Sequence, residues 1–131
     1  MNKAPFPIRL LATLVISLTV VSNAYARNIG DPQKNGCNRD GKTLASQSVR
    51  ISEYTLKVEM RWSQKCKAKW VKAYIPKGTR LYLKDKSGKR YVEYTAQVNG
   101  WNYSDMDNDK KPFQACVQHP SRREELCTAS Q

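Results

Sequence analysis

The stretch Leu56-Lys57-Val58-Glu59-Met60-Arg61-Trp62 decides the fold class, because apolar and charged residues alternate along it. Successive side chains of a β-strand point to opposite faces, so this period of two predicts a half-buried strand with a charged outer face. The same alternation recurs over residues 71–75, 81–84 and 90–96, and further short strands are predicted at 49–51, 100–103 and 114–117. Because no window has a long helical stripe, we expect an all-β domain, a small antiparallel barrel or sandwich of about five to seven short strands.

The first 26 residues have the pattern of an export signal. Lys3 and Arg9 precede a short apolar run over residues 10–21, and Ala24 and Ala26 are the small residues that end a cleavable leader. The run is shorter than the ~20 apolar residues that a spanning helix needs, which disfavours a membrane anchor. We therefore predict a cleaved signal peptide at 1–26 and a single secreted β-domain at 27–131, extracellular or periplasmic, with no transmembrane anchor after processing.

All the cysteines follow the predicted signal: Cys37, Cys66, Cys116 and Cys127. Four cysteines in a small exported domain indicate two disulfides, which would stabilise a modest core by constraining the unfolded chain. Three connectivities are open, and the one between sequence neighbours pairs Cys37 with Cys66 and Cys116 with Cys127. A zinc site is disfavoured because there is no Cys-x2-Cys pair and His119 is the only histidine.

The positive charge is concentrated in one part of the chain. The 131 residues include 23 Lys and Arg against 11 Asp and Glu, for a net charge of +12. Residues 61–92 hold eleven basic residues against Asp85 alone. The length excludes a large multidomain enzyme, and the charge favours an anionic partner.

The strand period also predicts which residues of this basic segment face outward. Cations attract a polyanion and release its counterions, and flat rings stack on bases or sugars. The alternative is that the aromatic residues belong to a core and that the lysines form a solvated rim. The candidate ligand-binding residues are Trp70, Lys72, Tyr74, Arg80, Tyr82, Lys84 and Tyr91.

Catalytic and metal signals are weak. Residues 105–109 carry acidic residues at alternate positions, but a calcium loop would need Gly and Glu where Lys110 and Cys116 stand, so we expect a polar turn. No catalytic serine signature surrounds any serine near His119. We therefore expect no enzyme activity, no metal and no cofactor.

Residues 61–72 read Arg-Trp-Ser-Gln-Lys-Cys-Lys-Ala-Lys-Trp-Val-Lys. This segment resembles the core motif R-W-S-x-x-C-x-x-x-W-[AV]-[KR] of the YjfA-like proteins, a secreted bacterial family of unknown function. The similarity extends from Gly36-Cys37 to Ala115-Cys116, with Ser104-Asp105 in place of the Thr-Pro of the family. The resemblance implies an extracytoplasmic domain with disulfides and no particular activity. It also implies framework roles for Trp62, Cys66 and Trp70.

These observations together predict a secreted, monomeric, non-catalytic domain that binds an anionic extracytoplasmic partner, such as a wall polymer, an acidic polysaccharide or a membrane surface. The second hypothesis is a secreted effector or inhibitor that docks on a protein, and the third is a small secreted hydrolase. Salt separates the first two, because binding to a polyanion weakens steeply as salt rises, whereas a buried aromatic anchor is much less sensitive.

Overall fold

The computed structural model describes residues 28–51 and 53–131, so the predicted signal peptide lies outside the described residues. Within these ranges a 3-10 helix at Cys37–Asp40 precedes nine antiparallel strands. No helix in this part of the chain is long and apolar enough to cross a membrane. The strands are β1 (Lys42–Ile51), β2 (Tyr54–Ser63), β3 (Ala68–Ile75), β4 (Arg80–Lys84), β5 (Arg90–Thr95), β6 (Gly100–Tyr103), β7 (Asp107–Asn108), β8 (Gln114–Gln118) and β9 (Leu126–Cys127).

The strands form two sheets. The first sheet has the order β1-β2-β3-β6, with β7 also pairing with β3, and the second has the order β5-β4-β8-β9. This arrangement confirms the predicted all-β class. The strand predicted at 49–51 extends back to Lys42, where Ser, Thr and Gln hide the alternation. The two-residue strands β7 and β9 are too short to leave a periodic signal.

The main core lies where the inner faces of the two sheets meet. Val58 of β2 stands opposite Ala73 of β3, and Leu81 of β4 stands opposite Val117 of β8. The alternating apolar residues of β2, β3 and β4 predicted to face inward are all buried here, except Trp62. In β5 the predicted alternation fails, because Tyr91 and Val92 both pack partly against the core and Tyr94 is exposed. The buried cluster is Leu56, Val58, Met60, Val71, Ala73, Ile75, Leu81, Leu83, Ala96, Phe113, Ala115 and Val117.

The predicted disulfides are confirmed, and the structure selects the pairing of sequence neighbours. Cys37 is bonded to Cys66, and Cys116 is bonded to Cys127. The first bridge ties the segment before β1 to the β2–β3 connection, and the second joins β8 to β9. The first bridge thus links the first sheet to a segment outside it, whereas the second bridge joins two paired strands within the second sheet.

Two expectations about the β2–β3 region change in the structure. Trp62 keeps the inward direction of its row, opposite Lys69, but it is only partly buried, and its Nε1 donates a hydrogen bond to Asp109 Oδ2 at 3.0 Å. Residues 105–109 are not simply a polar turn, because Met106 is buried and Asp107–Asn108 pair with β3 as strand β7. Both differences arise because β7 packs beside the start of β3, far away in sequence.

Candidate functional site

The outer face of the first sheet, which points away from the main core, brings cations and aromatic rings together. Directly opposed residues of antiparallel strands have their side chains on the same face. Lys57 of β2 stands opposite Tyr74 of β3, and Tyr74 stands opposite Trp101 of β6. Lys72 lies two residues before Tyr74 on the same face. We call Lys57, Lys72, Tyr74 and Trp101 the platform.

The two rings of the platform contact each other and remain accessible to solvent. The ring centroids of Tyr74 and Trp101 are 5.4 Å apart in an edge-to-face arrangement, and the residues are 47% and 46% exposed. The Lys72 Nζ lies 4.7 Å from the Trp101 ring centroid. Edge-to-face pairs contribute about 0.5–1.5 kcal/mol and cation–π contacts at exposed sites about 0.5–1 kcal/mol, so the rings are held in position while still exposed.

The charge that this face presents to solvent is mostly positive, because its acidic residue lies deeper than the cations. Glu59 pairs with Lys57 at 3.4 Å, but the Glu59 side chain is 12% exposed whereas that of Lys57 is 44% exposed. The Glu59 carboxylate also accepts a hydrogen bond from Thr43, at 3.2 Å. A ligand on the sheet would therefore meet the cations before the carboxylate.

Trp70 lies on this outer face, as the strand period predicts, but it is only 3% exposed. A second core covers it, formed by Cys37, Cys66, Ala68, Trp70 and Met106, with Tyr103 packed against it. Trp70 therefore cannot serve as an open ligand-binding residue. Its burial, together with that of Cys66, agrees with the framework roles implied by the motif.

The expectation that Tyr82 faces a ligand is wrong for a similar reason. Tyr82 is fully buried, opposite Cys116, with the Arg90 guanidinium 4.0 Å from the centre of its ring. Its hydroxyl donates a hydrogen bond to Glu125. Burial and this carboxylate raise the pKa of Tyr82 well above its usual value. The ring is a structural element of the second sheet's outer face.

The other predicted residues lie on the second sheet, where each is engaged by the protein itself. Lys84 is 2.8 Å from Glu125, and Arg80 is 3.9 Å from Glu93. The Tyr91 hydroxyl lies 2.8 Å from Asp85. The structure thus brings together only part of the predicted set.

The seven residues do not form one face because β3 and β4, although consecutive in sequence, belong to different sheets. The Pro76-Lys77-Gly78 turn carries the chain from the first sheet to the second. Outward residues of β3 and outward residues of β4 therefore point away from opposite sides of the core. Only Lys72 and Tyr74 of the predicted set belong to the platform.

The sequence alone does not identify Trp101, the tryptophan of the platform, as a candidate ligand-binding residue. The sequence predicts a strand over residues 100–103, and alternation along it places Trp101 on the face opposite to Asn102. The missing information was the partner of that strand. The antiparallel pairing of β6 with β3 is a contact between distant parts of the sequence.

The sequence model of DUF2690, a protein family of unknown function, matches residues 26–116 of the chain. The chain belongs to the DUF2690 family. The matched range includes the platform and ends at Cys116, before β9. Comparisons with curated proteins and with solved structures found no match.

In this DUF2690 chain, the polar groups that could suggest chemistry have structural partners. His119 Nδ1 lies 2.7 Å from Ser121 Oγ and accepts a hydrogen bond from the Ser121 main-chain N–H at 3.2 Å. Ser104 is buried, where its hydroxyl accepts a hydrogen bond from the Val71 N–H. Within residues 28–51 and 53–131, the one group of three ligand-type side chains is Cys116, Glu125 and Cys127, and both of its sulfur atoms are in a disulfide.

Proposed function

We propose that this DUF2690 domain is a non-catalytic binding module for an anionic, sugar-containing polymer outside the cytoplasm. The proposal is carried by one observation: the rings of Tyr74 and Trp101 stand half exposed on a sheet face beside Lys57 and Lys72. Two disulfides support an extracytoplasmic location, since such bonds persist mainly in oxidising compartments.

The geometry of the rings favours a flat ligand. Contiguous exposed apolar surface commonly marks an interaction site. Because the edge-to-face contact and the Lys72 cation already fix the Trp101 ring, little conformational entropy remains to be lost when a ligand stacks on it. A sugar ring offers the complementary flat C–H surface, and successive units of a polymer could contact Tyr74 as well as Trp101.

The charges favour an anionic rather than a neutral polymer. Lys57 and Lys72 flank the two rings, and Glu59 lies beneath them. Carboxylate, sulfate or phosphate groups on the polymer would pair with these cations and release counterions. The stacking and ionic contributions should therefore be separable by mutation and by salt.

The proposal is tested by titrating polygalacturonate and heparin into the purified protein by calorimetry, with neutral dextran as the control polymer. We expect binding of at least one anionic polymer at about 50 mM salt that weakens strongly by about 200 mM, and no binding of dextran. Trp101→Ala should weaken binding about tenfold or more, since stacking on an aromatic side chain contributes about 1–3 kcal/mol. Lys72→Gln should reduce the salt dependence.

The second sheet offers a matched control. Tyr94 is 38% exposed but lies on β5, away from the platform. Tyr94→Ala should leave polymer affinity unchanged within about twofold, a difference under 0.5 kcal/mol. Absence of binding to either polymer at low salt, or an equal loss in Tyr94→Ala and Trp101→Ala, would refute the proposal. An interaction that requires Trp101 but does not depend on salt concentration would instead favour the protein-docking hypothesis.

A further inference from the structure

A groove that the proposed function does not use opens at one end of the two sheets. It holds a cavity of about 310 Å³ between the last residue of β1, the first residues of β2 and the segment that follows β8. We call it the end groove. Its lining includes Ile51, Tyr54, Leu56, Pro76, His119 and Arg122.

The walls of the end groove are largely apolar. Ile51 packs partly against the main core, and Leu56 belongs to it. Tyr54 is 64% exposed, the highest exposed fraction of any large hydrophobic residue in the described part of the chain. Tyr54, Leu56 and Pro76 also line a second cavity, of about 240 Å³. An elongated apolar group could therefore occupy both spaces in succession.

The side of the end groove away from the second cavity is cationic. His119 and Arg122 also border a third cavity of about 220 Å³, which is lined further by Arg80 and Arg123. Among the described residues, neither Arg122 nor Arg123 forms an ion pair. An arginine without a carboxylate partner at the mouth of an apolar groove is complementary to an anionic head group.

The nearby carboxylates define how an anionic ligand with an apolar tail would be oriented in the end groove. Glu124 and Glu125 border a cavity on the Val49 side of Arg122, and Glu125 is already paired with Lys84. An anionic head group would therefore avoid that side and lie toward the Arg122 and Arg123 side. Its apolar tail would extend past Tyr54.

We propose that the end groove binds a single-chain anionic amphiphile, a free long-chain fatty acid, with its carboxylate on Arg122 and its alkyl chain between Leu56, Tyr54 and Pro76. Arginine matches a carboxylate with two parallel hydrogen bonds. The mostly apolar lining supplies the contacts for the alkyl chain. The carboxylate end of this site is separate from the platform, because no platform residue lines the first or the third cavity. The second cavity borders the platform at Tyr74, but neither Trp101 nor Lys72 lines it.

The test is calorimetric titration of the purified protein with octanoate, decanoate and dodecanoate below their micelle concentrations, with dodecanol as the uncharged probe. We expect affinity to rise about fourfold for each methylene that enters the groove, because each buried methylene contributes about 0.8 kcal/mol. Dodecanol should bind at least about tenfold more weakly than dodecanoate, as expected for a lost charge-assisted contact.

Two arginines provide the matched variants. Arg122→Gln should weaken dodecanoate binding about tenfold, whereas Arg39→Gln, which removes an exposed arginine that lines none of these cavities, should change it less than about threefold. Ser121→Trp should obstruct the groove and abolish binding without altering the main core. Affinity that does not depend on chain length, or equal losses in both arginine variants, would overturn the inference. Trp101→Ala should leave dodecanoate binding unchanged, so this test and that of the platform fail independently.

Discussion

Opening the Cys37–Cys66 disulfide should destabilise the domain more than opening the other bridge. The perturbation is the double substitution Cys37→Ala and Cys66→Ala. This bridge joins residues 29 apart in sequence, whereas Cys116 and Cys127 are 11 apart. The entropy lost by the unfolded chain when a loop is closed corresponds to about 3.6 kcal/mol for the first loop and about 2.8 kcal/mol for the second.

The folded state should survive this change, because other contacts hold the same segment. The Asp40 carboxylate accepts hydrogen bonds from Ser63 Oγ at 2.6 Å and from the Lys65 N–H at 3.0 Å. These hydrogen bonds, that of Ser63 first, hold the pKa of Asp40 below its usual value. Trp70 should therefore stay covered in the native state, and the loss should appear in the unfolding equilibrium.

The assay is urea unfolding, followed by far-UV circular dichroism and by tryptophan fluorescence. A small domain has a total free energy of unfolding of about 5–15 kcal/mol, so a loss of about 3.6 kcal/mol would shift the midpoint strongly. The native emission spectrum should change little. The control is the Cys116→Ala, Cys127→Ala variant, with an expected loss of about 2.8 kcal/mol.

Two results would refute this reasoning. A loss below about 1 kcal/mol for the Cys37–Cys66 variant would show that the bridge does not restrict the unfolded chain as its loop length requires. A red-shifted native spectrum without denaturant would show that the covering of Trp70 depends on the bridge itself.

Three further predictions concern single residues. Gly41→Ala should reduce the unfolding free energy by about 1 kcal/mol in urea titrations, because its Cβ would lie 3.2 Å from the Asn38 carbonyl oxygen; an unchanged midpoint would contradict this. Tyr82→Phe should reduce the loss of stability that wild type shows above pH 10. Folding raises the pKa of Tyr82, so the stability that its hydroxyl contributes is fully present below the pKa of the unfolded chain and is lost as the pH rises toward the pKa of the folded state. If wild type and variant unfold at the same alkaline pH, the result would count against burial of the hydroxyl. Glu125→Gln should make the stability depend less on pH in the acid range. Burial alone would raise the pKa of Glu125, but hydrogen bonds from its neighbours lower it below its usual value. The stability that the carboxylate contributes is therefore present above the pKa of the unfolded chain and is lost as the pH falls through the pKa of the folded state. Thermal midpoints at pH 2–6 that run parallel in the two proteins would contradict this.

Part of the site was accessible from the sequence. The alternation around Lys72 correctly placed Lys72, Tyr74 and Trp70 on the face away from the main core. Exposure did not follow from that placement, because a disulfide-linked segment covers Trp70 and leaves Tyr74 open. Periodicity reports the direction of a side chain relative to its own strand, and it contains no information about what packs on that side.

What the sequence by itself determined is therefore local: the strand period, the turns, the location of the basic segment and the presence of two disulfides. The tertiary structure decided which strands share a sheet. It placed β4 across the core from β3, which removed Tyr82 and Lys84 from the site, and it placed β6 beside β3, which added Trp101. The physical reason is that strand pairing and packing are contacts between residues distant in the chain, whose free energy depends on the whole set of buried surfaces and not on any one segment.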